Sequence, residues 1–103
     1  MDILEEIVAH KRVEIDERKR YVPIQQFIGD IQKLVEQGRP ASMREALMTS
    51  PTGIIAEFKR KSPSKGWIHQ DVKPQDVTPV YEKNGATALS ILTDTEYFGG
   101  YDE

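Results

Sequence analysis

The chain has 103 residues, 30% of them charged, a formal net charge of -3 and no cysteine. This allows one domain of modest size with a small core. It excludes a disulfide scaffold and a thiolate metal site, and it gives no global pull toward nucleic acid or an anionic membrane. No apolar run approaches the ~20 residues that span a bilayer. The N-terminal MDILEEIVAHKR is too acidic for a signal peptide, so a cytoplasmic location is expected. There is no internal repeat and no low-complexity segment.

Asp2 is a candidate cap for a first helix over about residues 3–18. Ile3, Leu4, Ile7, Val8 and Ile15 recur near helical spacing, with acidic residues early and Lys/Arg late, as the helix dipole favours. Tyr21-Val22-Pro23 ends it. Ile24, Phe27, Ile28, Ile31, Leu34 and Val35 follow the i, i+3, i+4, i+7 pattern, with Gly38 placed as a C-cap and Pro40 barring continuation. Ser42-Met43-Arg44-Glu45 matches a capping box, so a short third helix should run to about Met48. Thr49-Ser50-Pro51-Thr52-Gly53 is a turn.

The stretch Ile54–Gly66, IIAEFKRKSPSKG, opens with period-2 alternation: Ile55, Glu57 and Lys59 on one side, Ile54, Ala56 and Phe58 on the other. That reads as a strand. Its charged side is compatible with a solvated surface pair of little energetic worth. It is equally compatible with a strand whose other face packs under helices while Glu57 and Lys59 line a pocket. The loop after it, Arg60-Lys61-Ser62-Pro63-Ser64-Lys65-Gly66, carries cations and hydroxyls. A strand end bearing a carboxylate and an ammonium, followed by a basic Ser/Gly loop, suits the ligand-binding end of a parallel α/β sheet. Trp67 and Ile68 predict a fold-back onto the core or a pocket wall.

A helix is predicted over about 75–84, capped by Asp76, with Pro79 at its third position and Gly85 closing it. Ala88-Leu89-Ser90-Ile91-Leu92 is a nearly apolar strand, of the kind a parallel sheet covers on both faces. Thr93–Gly100 is the loop after it. Strand, loop, helix and strand over about 54–93 form one right-handed βαβ unit. His10 lies on a charged helix and His69 in a polar loop. With no His/Asp/Glu cluster at ligand spacing, a metal is not expected.

IIAEFKRKSPSKG, followed after about twenty residues by NGATALSILTDTEYFGG, resembles the first two strands of the indole-3-glycerol-phosphate synthase family. The amphipathic helices before strand one resemble that family's extension ahead of its barrel. The resemblance covers the whole chain in order and implies an α/β fold: the N-terminal part of a (β/α)8 TIM barrel, with residues 1–53 as helical extension and 54–103 as the first βαβ portion. It implies a lyase of tryptophan biosynthesis that closes an indole ring on a phosphorylated substrate with loss of carbon dioxide and water, and it implies no metal or organic cofactor. Lys59 then meets the substrate's anionic groups and assists the chemistry, and Glu57 holds the lysine and contacts substrate. Ser62 donates a hydrogen bond to the substrate, and Phe98 packs against its aromatic ring.

Each residue also has a plainer reading. Ser62 and Ser64 are ordinary turn formers, Tyr97 and Phe98 ordinary loop anchors, and Lys61 and Lys65 solvated cations. Length is the main departure from the family, since a (β/α)8 barrel takes ~250 residues. The general-acid lysine of the third strand, the later general-base glutamate and the phosphate loops have no counterpart here. The chain alone is therefore expected to be inactive and to self-associate through open strand edges and apolar helices. The alternative is a non-catalytic small-anion-binding or assembly module built on the SPSKG loop. Phosphoribosylanthranilate isomerase shares the barrel architecture, but the two long strings and the helical extension argue against it.

Overall fold

The structure is a computed structural model that describes residues 2–103. They form two compact units, one ending at Ala41 and the other spanning Ser42–Glu103. The first holds α1 (Ile3–Tyr21) and α2 (Ile24–Glu36). Asp2 and Glu5 close a full capping box: the Asp2 carboxylate accepts from the Glu5 amide at 2.8 Å, and the Asp2 amide donates to Glu5 Oε2 at 3.2 Å. Glu14 is paired on both sides, with Lys11 at 3.1 Å and Arg18 at 3.0 Å. These local contacts carry α1 to Tyr21, beyond the predicted end at 18. It stops where Pro23 forces Val22 into an extended conformation. In α2 the predicted stripe is present, and Gly38 takes φ +117° just past the Gln37 cap. No residue of either helix is buried; the six stripe residues of α2 are 50% to 68% exposed.

The second unit starts with α3 (Met43–Thr49), whose Ser42 hydroxyl accepts from the Glu45 amide at 3.1 Å. Then come β1 (Ile55–Phe58), a short hairpin of β2 (Lys61–Ser62) and β3 (Gly66–Trp67), α4 (Pro74–Lys83) and β4 (Ala88–Ile91). β1 and β4 pair in parallel, Ile55 opposite Ala88 and Phe58 opposite Ile91, which is the predicted βαβ unit. The ladder continues at both ends. The Thr87 and Ala88 amides donate to Ile54 O at 2.9 and 3.2 Å, and the Leu92 amide donates to Phe58 O at 3.1 Å. Below the sheet, Thr52 Oγ1 donates to Gly85 O at 2.7 Å, and the Ser50 hydroxyl accepts from the Gly53 amide at 3.1 Å and contacts Thr87 Oγ1. Phe58, 5% exposed, is the only buried hydrophobic side chain among the described residues.

Three local predictions are corrected. β4 is not covered on both faces: Leu89 is 41% and Ile91 45% exposed. Two strands and one ten-residue helix do not have the area to enclose it. α4 begins at Pro74, not near 75 under an Asp76 cap. Proline presets the helical φ at the first position, and Lys73 before it is extended. Asp76 lies in the first turn instead, and Pro79 falls in the helix interior, where it cannot donate to Gln75 O. Finally, of Trp67 and Ile68, Ile68 lines the groove above β1 as a pocket wall, but Trp67 does not fold onto a core. It pairs with Lys61 across the antiparallel hairpin, and Gly66 turns the chain at φ +66°.

Pro79 is exposed, so replacing it removes no packing. Pro79→Ala restores one helical hydrogen bond and should stabilise α4 by about 1–2 kcal/mol, read as slower amide exchange over Val80–Lys83. Unchanged or faster exchange would contradict the helix register described here.

Candidate active site

The site is built at the C-terminal end of β1. Alternation puts Glu57 and Lys59 on one face, and Lys59 Nζ lies 3.3 Å from Glu57 Oε1. The pair is part-exposed, 45% and 37%, so its worth as a stabilising contact is small, at most about 1 kcal/mol. What it does is hold an ammonium and a carboxylate side by side in a groove. Phe98 reaches the same ammonium from the loop after β4, its ring centroid 5.8 Å from Lys59 Nζ. The groove, about 580 Å³, is also lined by Ser62, Ser64, Lys65 and His69, with Tyr81 as part of its wall.

Of the four residues picked from sequence, Glu57, Lys59 and Phe98 come together directly. Ser62 lines the groove, but its hydroxyl also closes the SPSK turn, accepting from the Lys65 amide at 3.1 Å and lying 3.5 Å from Ser64 Oγ. Its role as a turn former is therefore real in this structure, and it leaves the hydroxyl at the groove's edge. Among these four side chains Glu57 alone offers a carboxylate and none an imidazole, so they make no metal-ligand set. Chemically, the arrangement suits a ligand with an anionic group to meet Lys59 and a planar apolar part to lie near Phe98.

Two residues escaped the sequence reading. The first is Ser90 on β4, whose hydroxyl donates to Glu57 Oε2 at 3.1 Å. A lone polar residue in an otherwise apolar strand was the available signal. The second is Arg60, hidden inside the basic run. Strand parity sends it away from Lys59, toward the backbone of the next loop. Its Nε donates to Gly99 O at 2.9 Å, Nη2 reaches the same oxygen, and Nη1 donates to Gln70 O at 3.3 Å. The guanidinium also sits 5.2 Å from the Tyr101 ring centroid. Arg60 thus ties the end of β1 to the loop that carries Phe98.

That loop is closed on itself. Asp94 Oδ2 accepts from the Tyr97 amide at 2.8 Å, and the Gly99 and Gly100 amides donate to Thr95 O and Asp94 O at 3.0 and 2.8 Å. Both glycines are buried. Gly99 has φ +64°, and a Cβ there would stand 2.7 Å from the Trp67 ring. A Cβ on Gly100 would come within 2.0 Å of Leu92 O. The two glycines let the loop press against β4 and the hairpin, and this fixes where Phe98 stands.

Arg60→Met should therefore cost about 1–3 kcal/mol of local stability and speed amide exchange at Gly99 and Gly100. Arg60→Lys should recover less than half, because an ammonium cannot reproduce the fork. Unchanged exchange in Arg60→Met would remove Arg60 from its role as a tie.

The family model described as indole-3-glycerol phosphate synthase matches residues 4–103. The indole-3-glycerol phosphate synthase of Bacteroides thetaiotaomicron is 52% identical over 101 residues, covering 96% of this chain and 37% of the relative. That of Thermoanaerobacter pseudethanolicus is 38% identical over 100 residues, covering 97% and 37%. That of Prochlorococcus marinus subsp. pastoris is 41% identical over 101 residues, covering 96% and 33%. The chain spans little more than a third of the length of these relatives. The fold is α/β with a parallel strand pair and no closed barrel among the described residues. No helix is long and apolar enough to cross a membrane, again among the described residues. With a family match running from residue 4 to residue 103, the chain belongs to the indole-3-glycerol phosphate synthase family.

Proposed function

We propose that the chain is the N-terminal portion of an indole-3-glycerol phosphate synthase and forms one wall of its active site. In this reading residues 1–53 are the helical extension, and 54–103 supply the first βαβ portion of a TIM barrel. The whole enzyme takes 1-(2-carboxyphenylamino)-1-deoxyribulose 5-phosphate. The ring carbon bearing the carboxylate bonds to the ketone carbon and the carboxylate leaves as carbon dioxide. The former ketone oxygen then leaves as water and the indole results. Such a site must neutralise anionic groups, protonate a carbonyl oxygen and then a departing hydroxyl, and take up a proton from the ring system.

The observation that carries the reading is the position of Lys59 Nζ, between the Glu57 carboxylate and the Phe98 ring. Lys59 meets the substrate's anionic groups and assists proton transfer. Glu57 orients that ammonium and contacts substrate, Ser62 donates from the groove's edge, and Phe98 lies against the aromatic ring. The general-acid lysine and general-base glutamate that the family resemblance implies are not among residues 1–103, so the 103-residue chain by itself should not turn over. Its exposed apolar faces on α2, β1 and β4 favour self-association when nothing else covers them.

A second reading, a small-anion module without chemistry, draws on the cations and hydroxyls along the groove. Two measurements separate them. Residues 1–103 fused ahead of the remaining segment of the Bacteroides thetaiotaomicron relative should close the indole ring, and Lys59→Met in that fusion should lower kcat/KM by about 100-fold or more. The 103-residue chain should show no turnover. A fusion without activity, paired with phosphate binding by the chain alone, would favour the anion module. Light scattering on the isolated chain should give a mass above the monomer, and a monodisperse monomer would remove self-association from the proposal.

A further inference from the structure

The geometry points to Ser90 as a positioning residue for Glu57, an inference that rests on the function proposed above. The parallel register sets Glu57 directly opposite Ser90, so the two side chains leave the same face of the sheet. The Ser90 hydroxyl donates to Glu57 Oε2 at 3.1 Å, while Glu57 Oε1 faces Lys59 Nζ at 3.3 Å. Each carboxylate oxygen thus has its own partner, one on its own strand and one on the neighbouring strand. With Lys59 alone, the carboxyl group could turn about its terminal torsion, which is broad and soft. The second contact fixes the plane of the carboxylate.

Ser90 is well placed for this work because it does not itself depend on a loop. It is half-buried in β4, and the ladder bonds to Ile54 O and Phe58 O hold the strand at both ends. A serine also stands out here. Its neighbours Ala88, Leu89 and Ile91 are apolar, and serine has no particular preference for strands. Its short hydroxyl reaches the carboxylate without filling the groove. The consequence extends to Lys59: a carboxylate that turns takes the ammonium with it, away from the Phe98 ring. Small misplacements of a group that meets the reacting atoms are expensive in rate.

The inference is tested in two settings. In the 103-residue chain, Ser90→Ala should move the carboxyl carbon resonance of Glu57, and Ser90→Thr should leave it near the parent position. An unmoved resonance in Ser90→Ala would overturn the contact. In the active fusion, Ser90→Ala should lower kcat about 10-fold with KM within about 2-fold, a loss typical of an interaction that matters in the transition state. Ser90→Thr should retain most of kcat. In a Glu57→Gln background, Ser90→Ala should add little further loss, because the residue it positions has already been altered. A full kcat in Ser90→Ala, or an undiminished loss in the Glu57→Gln background, overturns the inference alone. A parent fusion with no ring closure is a separate result: it overturns the functional reading and this inference with it.

Discussion

Two strands that run in the same direction cannot be joined by a tight turn, and the second unit depends on that constraint. The end of β1 and the start of β4 lie at opposite ends of the ladder, so the chain must cross the sheet between them. It uses the crossover twice. The helix α4 supplies the return path, and the hairpin of β2 and β3 occupies the space above β1 before the return begins. Because both strands point the same way, their C-terminal ends finish side by side. The residues that follow them, Lys59 and Arg60 on one side and the Phe98 loop on the other, are therefore neighbours although they are far apart in sequence. The groove follows from strand direction before any side chain is considered.

Side-chain parity then divides the work at the end of β1. Glu57 and Lys59 form the charged pair of the groove, whereas Phe58, also in its lining, is the one buried apolar side chain among the described residues, and Arg60 grips the neighbouring loop. Adjacent cations in one basic run thus do unrelated things. Lys59 pairs with the Glu57 carboxylate beside the groove, Arg60 is consumed by backbone carbonyls, and Lys61 lies 5.3 Å from the Trp67 ring centroid. Net charge cannot distinguish them, but the two-residue period of a strand can.

Much of this was legible in the sequence, and the reasons can be named. Asp2 and Ser42 as caps, the α2 stripe and the parallel pair all rest on local patterns that the surrounding structure does not oppose. One miss arose where a strong local signal was outweighed by another nearby. Asp76 resembled a cap, yet Pro74 had already set the helical torsion. The KRKSPSKGW segment is too short and polar to announce strands, so its hairpin emerged only from pairing. Ser90 and Arg60 owe their roles to partners some 30 to 40 residues away, Glu57 and Gly99, and no window of sequence contains both members of either contact. The expectation of an enclosed β4 failed for a different reason. Apolar composition records what a strand is suited to be covered by, not whether the chain at hand has the surface to cover it.

The packing of Gly99 has one more consequence. Trp67 is the only tryptophan in the chain, and its indole lies so close to Gly99 that a single added carbon would strike it. The Lys61 ammonium stands on the same ring. The chain therefore carries an optical reporter at the seam between the hairpin and the Phe98 loop. Its emission would follow any event that opens or tightens that seam, with no second indole among these 103 residues to blur the signal and without a dye or label.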